Sequence, residues 1–367
     1  MNEDFLNRKL HQRLESYSYR ELRREGPAVD FCSNDYLGIV ARNLLVNNPG
    51  ALPQKWSGST GSRLISGNYA LIEETESMIA QFHKAPAALI FNSGYDANIG
   101  ILGSIPQRTD TVVYDELSHA SIRDGIRLSH AASFSFNHND VEDLEKKLQA
   151  AKGNVFVVTE SIFSMDGDIA PLQEISELCA SYNAYLIVDE AHATGIAGHN
   201  GEGVVQSLGL QDRCLARVHT FGKALGCHGA VILGSSVLIK YLINFCRPFI
   251  YTTGMPASAV YAINASYSIF PGMHHERTVL NDLVKLFREN KDDLRLCNSV
   301  TPIQGVIIPG NEKVKLAAQT MMENGFNVRP IMYPTVPKGQ ERLRIVLHTF
   351  NTSQQVNSLL TILKELH

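Results

Sequence analysis

Leu186-Ile187-Val188-Asp189-Glu190-Ala191-His192 reads as a buried strand that stops on a carboxylate, with a histidine three positions on. Similar short apolar runs recur on both sides of it: Ala87 to Phe91, Thr111 to Tyr114, Val155 to Thr159, Arg217 to Thr220 and Ala230 to Leu233. Helical periods separate several of them, as in Val141 to Ala150 and Pro171 to Tyr182, where the proline suits a first turn. Strands buried on both faces and alternating with helices predict an α/β fold with a large, mostly parallel sheet. In such sheets ligands bind at the carboxyl ends of the strands, where Asp189 and His192 stand.

Further from that centre the pattern changes. Phe5, Leu6, Leu10 and Leu14 recur at helical spacing and predict an amphipathic arm, followed by a short apolar stretch from Val29 to Cys32. Beyond Met255 come a long helical stretch, the run Gly305 to Pro309, a helix from Lys313 to Asn324 and a strand-like run from Arg342 to Leu347. The expected division is an N-terminal arm over 1–45, a large domain over 46–255 and a smaller α+β C-terminal domain over 256–367.

With 367 residues, 44% of them hydrophobic, the chain can bury a core of this size. A formal net charge of -4 without a long Lys/Arg block argues against a nucleic-acid partner or a polybasic membrane patch. No stretch reaches the roughly 18 consecutive apolar residues of a membrane span, and the first residues lack a signal-peptide pattern. A cytoplasmic enzyme acting on small molecules is the expectation. The six cysteines form no C-x-x-C pair and no Cys/His cluster at zinc spacing, so no metal site is expected.

Chemistry concentrates in a few phrases. Val218-His219-Thr220-Phe221-Gly222-Lys223-Ala224-Leu225-Gly226 places a lone lysine in a glycine-flanked turn after a strand. There an amine can be partly desolvated and attack a carbonyl, although an isolated lysine is usually a solvated one. If the ligand is pyridoxal phosphate (PLP), Asp189 can keep the pyridine nitrogen protonated and His192 can bond the ring hydroxyl; a helix cap or a metal motif also fits such a phrase. Asn92-Ser93-Gly94-Tyr95-Asp96-Ala97-Asn98 follows a strand and opens a helix, whose backbone N–H groups can cradle a phosphate beside Tyr95. In Leu117-Ser118-His119-Ala120-Ser121 the imidazole can stack on a flat ring, or the phrase can simply cap a helix. Ser164, in the polar loop Thr159 to Asp168, can reach a cofactor oxygen.

Together with Ser33-Asn34-Asp35-Tyr36-Leu37-Gly38, Gly58 to Arg63, Ile250 to Pro256 and Arg342-Leu343-Arg344, these phrases resemble the α-oxoamine synthases across nearly the whole chain. Those are homodimeric fold-type I PLP-dependent transferases that condense an amino acid with an acyl thioester and release carbon dioxide. The resemblance implies Lys223 as the Schiff-base lysine, Asp189 at the pyridine nitrogen, His192 and Ser164 near the ring hydroxyl, and His119 on the ring face. It implies phosphate contacts from Gly94, Tyr95, Thr220 and, across a dimer interface, Thr253. Asn34 and Arg344 would meet the substrate, with Arg342 and Arg329 as further candidates for its carboxylate. Asn137-His138-Asn139-Asp140 and Tyr333-Pro334-Thr335-Val336-Pro337 favour the branch that joins L-alanine to pimeloyl-CoA or a pimeloyl-acyl carrier protein. Met332 stands where some members of that branch carry arginine. The glycine-using C-acetyltransferases share the core motifs, and a non-catalytic PLP-binding protein on the same fold is the remaining alternative.

Overall fold

Leu186, Ile187 and Val188 are at most 1% exposed, as expected of a strand covered on both faces. The computed structural model describes residues 3–22, 26–45 and 57–366. Residues 46–56, with which the expected large domain opens, and the first two residues of the arm lie outside the described residues. In chain order the strands are β1 (Val29–Asp30), β2 (Ala87–Phe91), β3 (Thr111–Asp115), β4 (Ala132–Phe136), β5 (Val155–Glu160), β6 (Tyr185–Asp189), β7 (Cys214–Thr220), β8 (Ala230–Gly234), β9 (Ile303–Ile307), β10 (Phe326–Asn327), β11 (Arg329–Ile331) and β12 (Arg342–Val346).

The chain divides into two units. One gathers the described residues of Met1–Tyr36, Ser164–Asp168 and Glu276–His367; the other holds those of Leu37–Phe163 and Ile169–His275.

The second unit is built on a seven-stranded sheet in the order β2-β8-β7-β6-β5-β3-β4. All neighbours pair in parallel except β8, which runs antiparallel to both β2 and β7. The carboxyl ends of β2, β3, β5, β6 and β7 therefore share one edge of the sheet. On one face Leu89, Val112, Val158, Ile187 and Val218 pack with Ala97 and Ile101 of the helix Gly94–Ser104 and with Ile122 and Ile126 of the helix Ala120–Ser129. The expected α/β layout with a large, mostly parallel sheet is what forms, but β4 was not anticipated. It is the outer strand, four of its five residues are exposed, and Ser133 and Ser135 break up the apolar signal.

The first unit has an antiparallel sheet in the order β11-β12-β9 and a parallel pair, β1 with β10, in which Val29 faces Phe326. The helix Ser353–Glu365 starts with a capping box formed by Thr352 and Gln355. At the other end of the chain, the helix Asp4–Glu15 buries none of its residues, and Phe5, Leu6, Leu10 and Leu14 are all exposed.

Candidate active site

Strand β7 runs into a tight turn that presents Lys223. The turn is closed by Gly226 N–H to Lys223 O at 2.9 Å and Cys227 N–H to Phe221 O at 2.8 Å. Gly226 has φ +64°, and a Cβ there would come within 2.9 Å of Ile39 and Val40 side-chain atoms, so the position requires glycine. Lys223 is half-buried, and its Nζ donates to Thr220 Oγ1 at 3.4 Å.

Thr220 also meets the helix that follows β2. Ser93 caps that helix by accepting Asp96 N–H at 3.0 Å. The next position is Gly94, where a Cβ would stand 2.5 Å from Thr220 Cγ2. Glycine therefore lets the helix start pack directly against Thr220 at the end of β7, and the free N–H groups of the first turn remain available to an anion. Tyr95 is exposed, with its hydroxyl donating to Asp124. Asn92 Nδ2 donates to Thr253 O at 2.9 Å within the same chain, so Thr253 also lies beside this strand end.

Asp189 ends β6 and is 6% exposed. Its Oδ1 accepts Ala191 N–H at 2.8 Å and its Oδ2 accepts Asn98 Nδ2–H at 2.7 Å. Asn98, itself 3% exposed, gives its other amide hydrogen to Ser121 Oγ at 3.1 Å, and Ser121 Oγ lies 2.7 Å from His119 Nδ1. Asp189 and His119 are thereby joined through two buried residues. Ser121 N–H also approaches His119 Nδ1 at 3.2 Å, which places the proton of a neutral ring on Nε2. His119 is exposed as a residue, yet crowding around its ring lowers its pKa; Lys223 acts in the same direction, while Asp189 and Asp124 oppose it. The imidazole, the Asp189 carboxylate and the Lys223 amine therefore share one electrostatic environment.

His192 is buried, 6% exposed, in the turn after β6. The preceding Glu190 has a different task. It accepts Val204 N–H at 3.1 Å and Val205 N–H at 3.3 Å, and burial raises its carboxyl to about 7. Of the two acids in the phrase, Glu190 braces a loop and Asp189 faces the strand end.

The remaining sequence candidates lie in the first unit. Arg344 is 8% exposed; its Nε donates to Ser164 O at 2.7 Å and its Nη2 to Asn34 Oδ1 at 3.0 Å. Asn34 Oδ1 also accepts from Tyr36 OH at 3.2 Å, and burial pushes the Tyr36 phenol up to about 12 against the pull of Arg344. Arg342 is tied down differently. Its Nη1 pairs with Asp166 and lies 3.1 Å from Cys297 Sγ, while its Nε donates to Gln340 O at 2.9 Å. Arg329 Nε donates to Cys32 Sγ at 3.1 Å.

Three buried residues that the sequence reading left without a role belong to the Asp189–His119 region: Asn98, Ser121 and Glu160. The signal for Glu160 was present, since it ends an apolar strand just as Asp189 does. Asn98 lay inside a quoted phrase, but its partner in the network is 91 positions away.

These groups fit PLP. A half-buried amine stands in a tight turn, a carboxylate that accepts two hydrogen bonds ends the neighbouring strand, an imidazole feels the charge of both, and the helix that starts at Gly94 packs closely against Thr220 with its first N–H groups free for a phosphate. The model of the aminotransferase class I and II family matches residues 27–363. The 8-amino-7-oxononanoate synthase of Emericella nidulans is 42% identical, over 97% of this chain and 94% of its own length. Among solved structures, an 8-amino-7-oxononanoate synthase from Francisella tularensis has TM-score 0.79 at 30% identity, covering 92% of this chain and 97% of that one. A serine palmitoyltransferase variant from S. paucimobilis with a bound PLP–myriocin aldimine has TM-score 0.87 at 27% identity, covering 99% of this chain and 96% of that one. With its lysine turn, strand-end carboxylate and glycine cradle in place, the chain belongs to the aminotransferase class I and II family and, within it, to the PLP-dependent α-oxoamine synthases.

Proposed function

We propose that the chain condenses L-alanine with a pimeloyl thioester, releasing carbon dioxide and the thiol carrier, to give 8-amino-7-oxononanoate for biotin biosynthesis. The relatives at 42% and 30% identity carry that name. The observation that carries the chemistry is the hydrogen-bond chain from Asp189 through Asn98 and Ser121 to His119, with the Lys223 amine acting on the same imidazole.

When bound, PLP supplies an electron sink that stabilises a carbanion at the amino acid's Cα. Lys223 would hold the cofactor and, as a free amine, would take the Cα proton of alanine as general base. Asp189, oriented by hydrogen bonds from Asn98 and Ala191, would hold a proton on the pyridine nitrogen. His119 covers the ring face, and His192 and Ser164 serve its hydroxyl. The backbone of Gly94 and Tyr95, with Thr220 and Thr253, grips the phosphate. Arg344 and Asn34 hold the alanine carboxylate, for which a guanidinium fork is suited. Arg342, paired with Asp166, acts as a brace instead. The acyl carrier is coenzyme A or an acyl carrier protein. The working form is a homodimer, in keeping with the exposed apolar residues of the helix Asp4–Glu15. We place it in the cytoplasm; among the described residues no helix is long and apolar enough to cross a membrane.

The test is turnover of the purified holoenzyme with pimeloyl-CoA and L-alanine, glycine or L-serine, read as free thiol and carbon dioxide. Alanine is expected to lead the others by at least about tenfold, in line with what one methyl pocket can discriminate. Preference for glycine with acetyl-CoA, or for serine with a long acyl-CoA, moves the assignment to another member of the family.

Arg344→Ala is expected to raise KM for alanine by about tenfold to a hundredfold, the effect of losing a charge-assisted bond to a carboxylate. Its KM for pimeloyl-CoA should change little. Equal rises in both would remove Arg344 from carboxylate recognition.

A further inference from the structure

Glu160 ends β5, and its register partner on the neighbouring parallel strand β6 is Asp189. Two carboxyl groups thus finish adjacent strands at the edge where the candidate site lies. Glu160 is 3% exposed, and its Oε1 accepts the backbone N–H of His119 at 2.6 Å. His119 caps the helix Ala120–Ser129, with its side chain turned back to accept from Ser121 N–H. A capping residue's own N–H lies outside the helical ladder and needs an acceptor from elsewhere. Glu160, 41 positions along the chain, supplies it. His119 is consequently fixed at two points, its ring by Ser121 and its backbone by Glu160.

We propose that Glu160 is a positioning residue for the cofactor site: by reaching from β5 to the His119 backbone it sets where the imidazole lies. This rests on the reading of His119 as the group covering the cofactor ring. The charged and titratable groups facing Glu160 are Asp189 from β6, Asp115 from β3, His119 and Lys223. Burial, followed by the charge of Asp189, raises its carboxyl to about 8, against the pull of the His119 N–H and Lys223. Near neutral pH it therefore stands as the neutral acid and adds no second negative charge beside Asp189. What it contributes is reach and an acceptor oxygen.

Two variants separate reach from charge. Glu160→Gln keeps the length and an acceptor oxygen but cannot ionise. Glu160→Asp can ionise but draws the acceptor back by one methylene. Each is measured in the purified holoenzyme for PLP affinity and for the visible circular dichroism of bound cofactor, with far-ultraviolet dichroism as a control for folding. Glu160→Asp is expected to weaken PLP binding by about tenfold, as for a lost buried hydrogen bond, and to diminish the visible signal. Glu160→Gln should stay within about threefold of the parent protein and keep its signal. The proposal is overturned if the Asp variant binds and absorbs like the parent, or if the Gln variant loses as much as the Asp variant. Absence of a visible cofactor signal in the parent protein overturns instead the reading of the site on which the proposal rests.

Discussion

The Lys223→Ala protein is expected to bind PLP without attaching it and to lose activity by at least about ten-thousandfold, since general-base catalysis alone contributes about 10² to 10⁴. The larger end applies because, in the proposed reaction, the same amine would both hold the cofactor and move the Cα proton. Its setting explains why no neighbour can replace it. The turn from Phe221 to Cys227 is closed by its own backbone bonds, and Gly226 is packed against Ile39 and Val40, so another side chain cannot swing into the same place. Reversible binding should survive, because the proposed phosphate contacts, the backbone at Gly94 and Tyr95 and the Thr220 hydroxyl, remain when the Lys223 amine is removed. The measurement is borohydride treatment of both proteins with PLP, followed by mass spectrometry of the peptides. The parent should carry the cofactor on the peptide containing Lys223, and the variant should carry none. A label that persists on another lysine of the variant, with activity to match, would move the covalent site.

How much of this was legible in the sequence depends on distance along the chain. Leu186 to Asp189 declared a buried strand because three apolar residues ran into a charge, and the strand forms with one further residue, Tyr185, at its start. The phrase around Lys223 announced itself because glycines bracket a lone amine. Edge strand β4 was missed for the opposite reason: an outer strand has little apolar pattern to show. Asn98 and Glu160 escaped because their meaning lies in partners on other strands and helices. Nothing in either residue's neighbourhood says that Asn98 will bond Asp189 or that Glu160 will receive the His119 N–H. The resemblance put Arg344 ahead of Arg342 for the carboxylate, but the strand pattern alone, in which the two alternate, does not show how differently they are partnered. Asp166 meets the charge of Arg342, whereas Arg344 is given a carbonyl and an amide oxygen, which leave its positive charge uncompensated by these contacts.

Asp189→Asn should slow removal of the Cα proton by at least about a thousandfold, the upper range for loss of one preorganised electrostatic contact, while leaving PLP attached to Lys223. The carboxylate makes the cofactor ring a better electron sink only while it keeps the pyridine nitrogen protonated, and an amide has no charge with which to do so. A second effect follows from the hydrogen bonds. Both oxygens of Asp189 accept, one from Ala191 N–H at 2.8 Å and the other from Asn98 Nδ2–H at 2.7 Å. Asparagine offers one acceptor and one NH₂ group, so with Asn98 as it stands a donor faces a donor in a site that is 6% exposed, and turning Asn98 over breaks its Nδ2–H bond to Ser121. An unsatisfied buried donor costs about 1 to 3 kcal/mol, and the variant should melt at a lower temperature for that reason alone. The two effects are separable because exchange of the alanine Cα hydrogen in deuterated buffer, followed by nuclear magnetic resonance at saturating PLP and alanine, reports proton removal without requiring the thioester. Normal exchange in a protein that melts early would reduce Asp189 to a structural residue. Lost exchange with the cofactor still attached would identify its charge as what the reaction needs.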